Sequence, residues 1–120
     1  MSVELLEELT EELMPRVLPP GWERINEGNH FVSNDGLSII ASAEQIAGER
    51  WWHVSLARPN RLPSWEDLRR VKEVFIGKHR QAVSVLPDER QYVNVHPYCL
   101  HLWTNLDRNL VPDMRRPGGL

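Results

Sequence analysis

The chain opens with a helical pattern of leucines set among five glutamates. The recurring leucines are Leu5, Leu6, Leu9 and Leu13. Their spacing predicts an amphipathic helix over residues 3–14, with Ser2 as its N-cap. Pro15 should end the helix, because the residue before a proline avoids helical backbone angles. We expect the leucine stripe to pack on the sheet of its own domain; the alternative is a docking helix that pairs with a partner or a second copy.

Beyond a stiff turn at residues 19–21, the apolar pattern changes toward the two-residue period of β-strands. It predicts a meander of strands over 22–27, 29–33 and 37–44, with an Asp-Gly hairpin signal in the turn at 34–36. A fourth strand, 51–57, alternates strictly between two faces. One face carries Trp51, His53 and Ser55, and the other carries Trp52, Val54 and Leu56.

A second helix is predicted after the proline-bracketed loop 58–63. Ser64 and Asp67 have the spacing of a capping box, in which each side chain satisfies a backbone amide of the other. The buried stripe that we expect consists of Trp65, Leu68, Val71 and Phe75. Gly77 should end the helix, since glycine readily adopts the left-handed conformation found after helix C-termini.

The last third returns to strands, predicted over 81–86, 91–96 and 99–105, and residues 107–120 should form a flexible tail. The whole pattern predicts a single α+β domain over residues 1–106. Its mainly antiparallel sheet would have about six to seven strands, with the N-terminal helix and one central helix on one side.

Composition adds limits to this interpretation. A chain of 120 residues with 41% hydrophobic residues fits one modest core. The formal net charge of −3 argues against nucleic acid as the main partner. No signal peptide or membrane-spanning run is present and there is one cysteine, so we expect a cytoplasmic protein of a bacterial host cell.

Alternation along the later strands predicts a second, polar face of the sheet. Val93, Val95, Leu100 and Leu102 should belong to the core. The opposite side would carry His53, Tyr92, Asn94, His96, His101, Trp103 and Asn105. These side chains lie together only if their strands are neighbours in one sheet, which the sequence alone does not establish.

Three kinds of chemistry are compatible with this polar face. In a histidine-based phosphoester hydrolase, His53 and His101 would act as acid and base and Ser55 would bind a phosphate oxygen. His-x-Ser at 53–55 resembles half of the signature of two-histidine phosphoesterases, but 101–104 departs from the other half. A metal site would use His53, His96, Cys99 and His101, but the stretch has no acidic residue or paired-cysteine motif, and we expect no metal and no cofactor.

A thiol nucleophile is the third chemistry. Cys99 has His96 and His101 nearby in sequence, and Asn94 or Asn105 would complete a Cys-His-Asn set. A single cysteine between apolar neighbours is more often a small buried hydrophobe.

Binding without chemistry is the class that we favour, because Trp, Tyr, His and Asn dominate contact surfaces. The expected binding residues are His53, Tyr92, Asn94, His96, His101 and Trp103. A basic face could add positive charge for an anionic ligand, or could be only a solvated helix surface. Its members are Arg58, Arg61, Arg69 and Arg70.

Four segments carry a resemblance to a known family. They are His53-Val54-Ser55, Leu62-Pro63-Ser64-Trp65 with Val71-Lys72, Tyr92-Val93-Asn94-Val95-His96, and Leu100-His101-Leu102-Trp103. Together they resemble an uncharacterised family of small proteins encoded by bacteriophages and prophages, over roughly residues 50–105. The resemblance implies a phage origin and an accessory protein that binds a host protein or a nucleotide-like ligand. It implies no catalytic residue, and a homodimer through the first helix stays an alternative.

Overall fold

The computed structural model describes residues 2–77, the backbone of 83–85, and residues 99–108. The helices are α1 (Val3–Leu13) and α2 (Trp65–Val71), and α2 runs on into a π-helical turn (Lys72–Ile76). The strands are β1 (Trp22–Ile25), β2 (His30–Ser33), β3 (Ser38–Ile46), β4 (Glu49–Ala57), β5 (Val83–Val85) and β6 (Cys99–Asn105). The predicted strand 91–96 and tail residues 109–120 lie outside the described residues.

The strands form an antiparallel sheet in the order β1-β2-β3-β4-β6-β5. Five of them contain four or more residues, and β5 is a three-residue strand at the edge. The predicted α+β class and antiparallel sheet are therefore confirmed. The expected six to seven strands are more than the five full strands that the described residues form.

Helix α1 packs on the sheet of its own domain. The Leu5 amide donates to the Ser2 hydroxyl at 3.2 Å, as expected for an N-cap. The inward side chains on α1 are Leu6, Leu9 and Leu13, which contact the core. The Ala43 amide donates to Thr10 Oγ1 at 2.8 Å and ties α1 to β3. Three of the four leucines of the stripe thus pack within the chain, as the apolar spacing predicts, whereas Leu5 is exposed.

The core occupies one face of the sheet. Trp52, Val54 and Leu56 of β4 are fully buried there, as alternation predicts. Ile39, Ala41, Leu100 and Leu102 on the flanking strands lie opposite them. The Trp52 indole N–H donates to the Phe75 carbonyl at 3.0 Å, so the π-helical turn lies on the same face as α1. Both helices of the described residues therefore lie on one face of the sheet.

The start of α2 confirms the predicted capping box and corrects its stripe. The Asp67 amide donates to Ser64 Oγ at 3.1 Å, and the Ser64 amide donates to the Asp67 carboxylate at 2.9 Å. Trp65, however, is 82% exposed, whereas Leu68 is buried. The expectation that Trp65 belongs to the buried stripe is wrong, because this first helical residue precedes the turn that contacts the core.

A buried ion pair fixes the loop between β4 and α2. Arg58 donates to both carboxylate oxygens of Asp67, each at 2.8 Å, and to the Asp35 carbonyl at 3.0 Å. Both charged partners of the pair are buried. The pair joins the loop after β4 to the β2–β3 turn. Among the described residues, no helix is long and apolar enough to cross a membrane.

Candidate functional site

The register between β4 and β6 brings the two predicted histidines together on the sheet face opposite the core. His53 is the direct partner of Trp103, and Ser55 is the direct partner of His101. His53 and His101 are therefore diagonal neighbours, a separation that ring side chains can bridge. The proviso that their strands must be neighbours is met.

Four aromatic rings of this face form a column along the two strands. The rings of His53 and Trp103 stack almost in parallel, with centroids 3.9 Å apart and an interplanar angle of 9°. The His101 ring meets the edge of His53, with centroids 4.9 Å apart at 21°, because the two rings are joined through nitrogens that lie 2.6 Å apart. Trp51 meets Trp103 edge-on, with centroids 6.5 Å apart. We call these four residues the aromatic column.

A chain of polar contacts runs beside the stacking. His53 Nε2 lies 2.6 Å from His101 Nδ1, and His101 Nε2 lies 3.6 Å from the Cys99 sulfur. At the other end, His53 Nδ1 lies 2.6 Å from Glu44 Oε2. We call Glu44, His53, His101 and Cys99 the polar relay. The contact with Glu44 is electrostatic and not an aligned hydrogen bond, since Glu44 Oε2 is buried without a hydrogen bond among the described residues.

One arrangement of protons is compatible with the three contacts of the polar relay, which are Glu44–His53, His53–His101 and His101–Cys99. Each imidazole carries its proton on Nδ1, so that His101 donates to His53 and His53 points its proton at the Glu44 carboxylate. The Cys99 sulfur lies 3.6 Å from both His101 Nε2 and the Leu100 carbonyl oxygen, and in this arrangement its proton is directed at His101. A neutral imidazole has one donor and one acceptor nitrogen, so both rings can serve in this way without a net charge.

A cleft of about 350 Å³ opens beside the thiol end of the relay. Its lining residues are Gly36, Ser38, Ile40, Ser55, Ala57, Arg58, Pro59 and Cys99. The Ser38 hydroxyl lies 2.7 Å from His30 Nε2, and the Ser55 hydroxyl faces the Ile40 carbonyl at 3.4 Å. Hydroxyl, thiol and apolar groups thus form most of its wall.

Burial raises the pKa of the Cys99 thiol above its ordinary value. Hydrogen bonds from the Ser55 side chain and the Leu56 backbone act in the opposite direction but have a smaller effect. Loss of hydration disfavours the thiolate more than it does the neutral thiol. Cys99 therefore rests in its protonated form at neutral pH.

Three arginines of the predicted basic face are paired with carboxylates. Arg58 binds Asp67 and Asp35. Arg70 binds the same two carboxylates, at 2.9 and 3.3 Å. Arg69 binds Glu66 and Glu73 on the exposed side of α2. Arg61 is exposed and makes no ion pair with the described residues. Most of the positive charge of this face is therefore offset within the chain.

Hydrogen bonds explain the low pKa values of the carboxylates beside Arg58. The pKa of Asp35 falls to about 2, chiefly through its hydrogen bond from Ser33 and then through that from Arg58. The pKa of Asp67 is lowered further below its usual range, with the Arg58 hydrogen bond as the largest cause. Both carboxylates are thus ionised at neutral pH, and they occupy the arginine rather than leave it for a ligand.

Of the remaining candidate residues of the polar face, three lie outside the described residues and one, Asn105, is described. Tyr92, Asn94 and His96 lie outside the described residues. The Asn105 amide donates to Glu49 at 2.7 Å, and its carbonyl oxygen accepts the Asp107 amide at 2.8 Å. Asn105 thereby anchors the end of β6.

Glu44 is the site residue that the sequence reasoning missed. It belongs to the predicted third strand, and the tight turn at Ala47-Gly48 sets the register of β3 against β4. That register pairs Glu44 with Trp51 and Ser42 with His53, so the carboxylate lies diagonal to the imidazole. Counting back from the two-residue turn is the sequence signal that could have found it.

The contacts within the polar relay bear on whether it could bind a metal ion. Among residues 2–77, 83–85 and 99–108, no group of three or more His, Cys, Asp or Glu side chains is arranged to hold a metal ion. His53 Nε2 and His101 Nδ1 are occupied by each other. The arrangement is suited to moving a proton between a carboxylate and a thiol.

A family model described as "Domain of unknown function (DUF7694)" matches residues 43–107 of the chain. The matched segment contains all four residues of the polar relay and all four of the aromatic column. No match was found among curated proteins or among solved structures.

Proposed function

The chain belongs to the family that matches residues 43–107, and we propose that it is a binding module whose ligand lies on the sheet face opposite the helices. The observation that supports this most is the register of β4 against β6, which lines up the aromatic column beside the cleft. A concave site with a few hydrogen-bonding groups among apolar walls is the usual form of a small-molecule site. The ligand class that we propose is a small uncharged molecule.

The lining of the cleft favours an uncharged ligand over an anion. Ser38, Ser55 and Cys99 offer hydroxyl and thiol groups for hydrogen bonds. Arg58, the cation among the described residues of the lining, is buried and already paired with Asp67 and Asp35. An anion in the cleft would compete with two carboxylates for that arginine and would gain little charge stabilisation.

A nucleotide-like ligand is a weaker candidate for the same face. Base stacking needs an open ring face. The His53–Trp103 stack already covers one face of each ring, the edge of Trp51 lies near Trp103, and His101 contacts the edge of His53. Fewer ring faces are therefore open to a base, and the column also offers ring edges to a partner. A host protein that contacts these edges is the other occupant, and it is an outcome of the test below.

The runner-up, a two-histidine phosphoester hydrolase, finds less support in the geometry. Acid and base must flank a phosphate, so each histidine needs a nitrogen directed at the substrate. His53 and His101 instead direct nitrogens at each other at 2.6 Å, and His101 is buried. A phosphate would have to break that contact before it could bind between the rings.

Three further expectations belong to the same proposal. Phage or prophage origin rests on the sequence resemblance over residues 50–105, and a cytoplasmic location rests on composition. A homodimer through α1 would have to use Val3 and Leu5, which are 70% and 49% exposed, because the rest of the leucine stripe contacts the core. Light scattering on the purified protein tests the dimer directly.

A matched pair of probes tests the binding site. Benzamide and benzoate have nearly the same shape, and only benzoate is charged. We expect benzamide to shift the backbone amide NMR signals of Ser38, Ser55 and Cys99, with benzoate producing much smaller shifts. Ser55→Ala should weaken the benzamide response, whereas Ser42→Ala, on the same face but outside the cleft lining, should leave it unchanged.

The alternatives give different results in that experiment. Larger shifts with benzoate than with benzamide would mean that the cleft binds an anion and not an uncharged molecule. Shifts with neither probe, together with capture of a host protein that Trp103→Ala abolishes, would assign the face to a protein partner. If neither probe binds and no protein is captured by the wild type, the proposal fails.

A further inference from the structure

We propose that Cys99 is a nucleophile that accepts a short acyl group from a small ester or thioester bound in the cleft. His101 is its general base, and His53 and Glu44 are positioning residues that act through His101. The inference rests on the cleft of the proposed function and adds a reaction to it. It assigns one chemical role to the contacts of the polar relay.

The first argument is the order of the groups. His101 Nε2 lies 3.6 Å from the Cys99 sulfur, which is longer than a catalytic hydrogen bond and typical of a looser contact without substrate. The other nitrogen of His101 is bound by His53, as the second nitrogen of a catalytic base is bound by its orienting group. A carboxylate, Glu44, lies at the end beyond His53. Nucleophile, base and orienting groups thus follow one another, through hydrogen-bonding atoms as far as His53 and through an electrostatic contact to Glu44.

The second argument is the position of the thiol. Cys99 is buried, yet it belongs to the lining of the cleft, so the residue lies beside the space that a small molecule would occupy. Ser55, which faces His101 across the strand pair, lines the same cleft. The reacting group, its base and the space for a substrate are therefore on one sheet face.

The third argument is the protonation state at rest. Because Cys99 is held as a neutral thiol, attack requires a base that removes its proton as the bond forms. His101 Nε2 is the acceptor nitrogen in the proton arrangement that satisfies the relay. When His101 takes the proton, the positive charge that develops on the two imidazoles is stabilised by the Glu44 carboxylate.

The reaction balances with groups that the chain and water supply. The sulfur forms a bond to the acyl carbon as its proton passes to His101 Nε2, and the bond from that carbon to the leaving alcohol or thiol breaks. His101 returns the proton to the leaving group. Water then attacks the thioester carbon with His101 as base, the carbon–sulfur bond breaks, and the sulfur regains a proton. The products are the free acid and the alcohol or thiol.

The size and charge of the cleft set the substrate class. Its volume of about 350 Å³ holds a small molecule, and Arg58 is paired with carboxylates. The substrate is therefore an uncharged ester or thioester with a short acyl chain. A bulky acyl group or a free carboxylate on the acyl side would be a poor substrate.

The test uses p-nitrophenyl acetate as the probe, because its acetyl group is small and its leaving group is coloured. The chain has one cysteine, so an acetyl adduct on a thiol can be located at Cys99 by peptide mass spectrometry. We expect one acetyl group per chain on Cys99 and release of p-nitrophenolate faster than with N-acetylcysteine at the same pH. A buried cysteine without a base would react more slowly than the free thiol.

Variants separate the roles. Cys99→Ser should remove the thiol adduct, and His101→Gln should slow acetylation about a hundredfold. Because His101 is buried, melting curves check that its variant folds. Glu44→Gln and His53→Gln should slow acetylation about tenfold at neutral pH, with a deficit that shrinks at high pH, where hydroxide removes the thiol proton directly. Glu23→Gln, an equal charge change at an exposed residue of β1, is the matched control and should react as wild type.

Each outcome decides a part of the proposal. Cys99 that reacts more slowly than N-acetylcysteine while benzamide still binds overturns the nucleophile and leaves the binding module standing. If Cys99 is acetylated faster than N-acetylcysteine but benzamide does not bind, the nucleophile is supported and the proposed small-molecule binding site is overturned. If Glu44→Gln and His53→Gln are slowed equally at every pH, their role is structural, and if both react as wild type, the relay is overturned.

Discussion

His53 Nε2 lies 2.6 Å from His101 Nδ1, although neither histidine is the direct strand partner of the other. The contact is diagonal across β4 and β6, and the stacking of His53 on Trp103 helps to hold the His53 ring in place. The bond has two consequences. It closes the gap that a phosphate would need between the rings, and it connects Glu44 on β3 with Cys99 on β6.

The aromatic column should contribute to stability as well as to binding. Trp103→Ala removes the stack on His53 and the edge contact with Trp51. We expect a loss of about 2 kcal/mol in the free energy of unfolding, less than for a fully buried tryptophan, because Trp103 is half-buried. Urea denaturation followed by tryptophan fluorescence measures it. A change below ~0.5 kcal/mol would mean that the rings do not stack in solution.

The two apolar residues at the start of α2 should differ sharply in their effect on stability. Trp65→Ala should change the free energy of unfolding by less than about 0.5 kcal/mol, because its side chain is exposed. Leu68→Ala, one turn later and buried in the core, should cost about 3 kcal/mol. Thermal melting of the two variants compares them. Equal losses of unfolding free energy in the two variants would mean that Trp65 packs in the core as Leu68 does.

The Arg58–Asp67 pair should make stability depend on pH in the acid range. The folded pKa of Asp67 is below its unfolded value, so its contribution is fully present above about pH 4 and is lost as the pH falls toward the folded pKa. Asp67→Asn should cost about 3 kcal/mol at pH 7, because it leaves Arg58 buried without its main partner.

Urea denaturation of wild type and Asp67→Asn at pH 7, 5 and 3 tests this dependence. The difference between the two proteins should stay constant from pH 7 to 5 and narrow at pH 3. Glu66→Gln, whose side chain is exposed on the same helix, provides the control and should follow wild type at each pH. If the difference in unfolding free energy between wild type and Asp67→Asn is the same at pH 3 as at pH 7, the loss arises from the capping box and not from the charge of Asp67.

The fold and the site were predictable from the sequence to different degrees. Strict alternation assigned Trp52, Val54 and Leu56 to the core, because a strand has only two faces, and the capping box located the start of α2. Trp65 was misplaced, since a helical period describes direction around an axis and not how far the core extends along it.

The contacts of the site were harder to predict than its composition. Alternation placed His53 and His101 on the polar face, but which strands are neighbours depends on chain folding over long range. Glu44 was missed because an acidic residue near the end of a strand looks like a solvated turn position until the register is counted. The pairing of Arg58 with Asp67 and Asp35 was also invisible, since it joins a loop, a helix and a turn.

The β3–β4 turn offers a stabilising change that also tests the register on which the relay depends. Ala47 and Gly48 both have positive φ, 51° and 80°, as in a type I′ turn. Alanine is strained there, whereas asparagine tolerates this conformation, so Ala47→Asn should stabilise the protein by about 1 kcal/mol. Gly48→Ala should destabilise it by a similar amount, although the space around Gly48 is open, because a Cβ is strained at that φ. Thermal melting measures both. Asparagine keeps the same turn type, so cross-strand NMR contacts from Glu44 to Trp51 and from Ser42 to His53 should persist in Ala47→Asn. If Ala47→Asn is more stable but has lost these contacts, the turn does not set the register that brings Glu44 to His53.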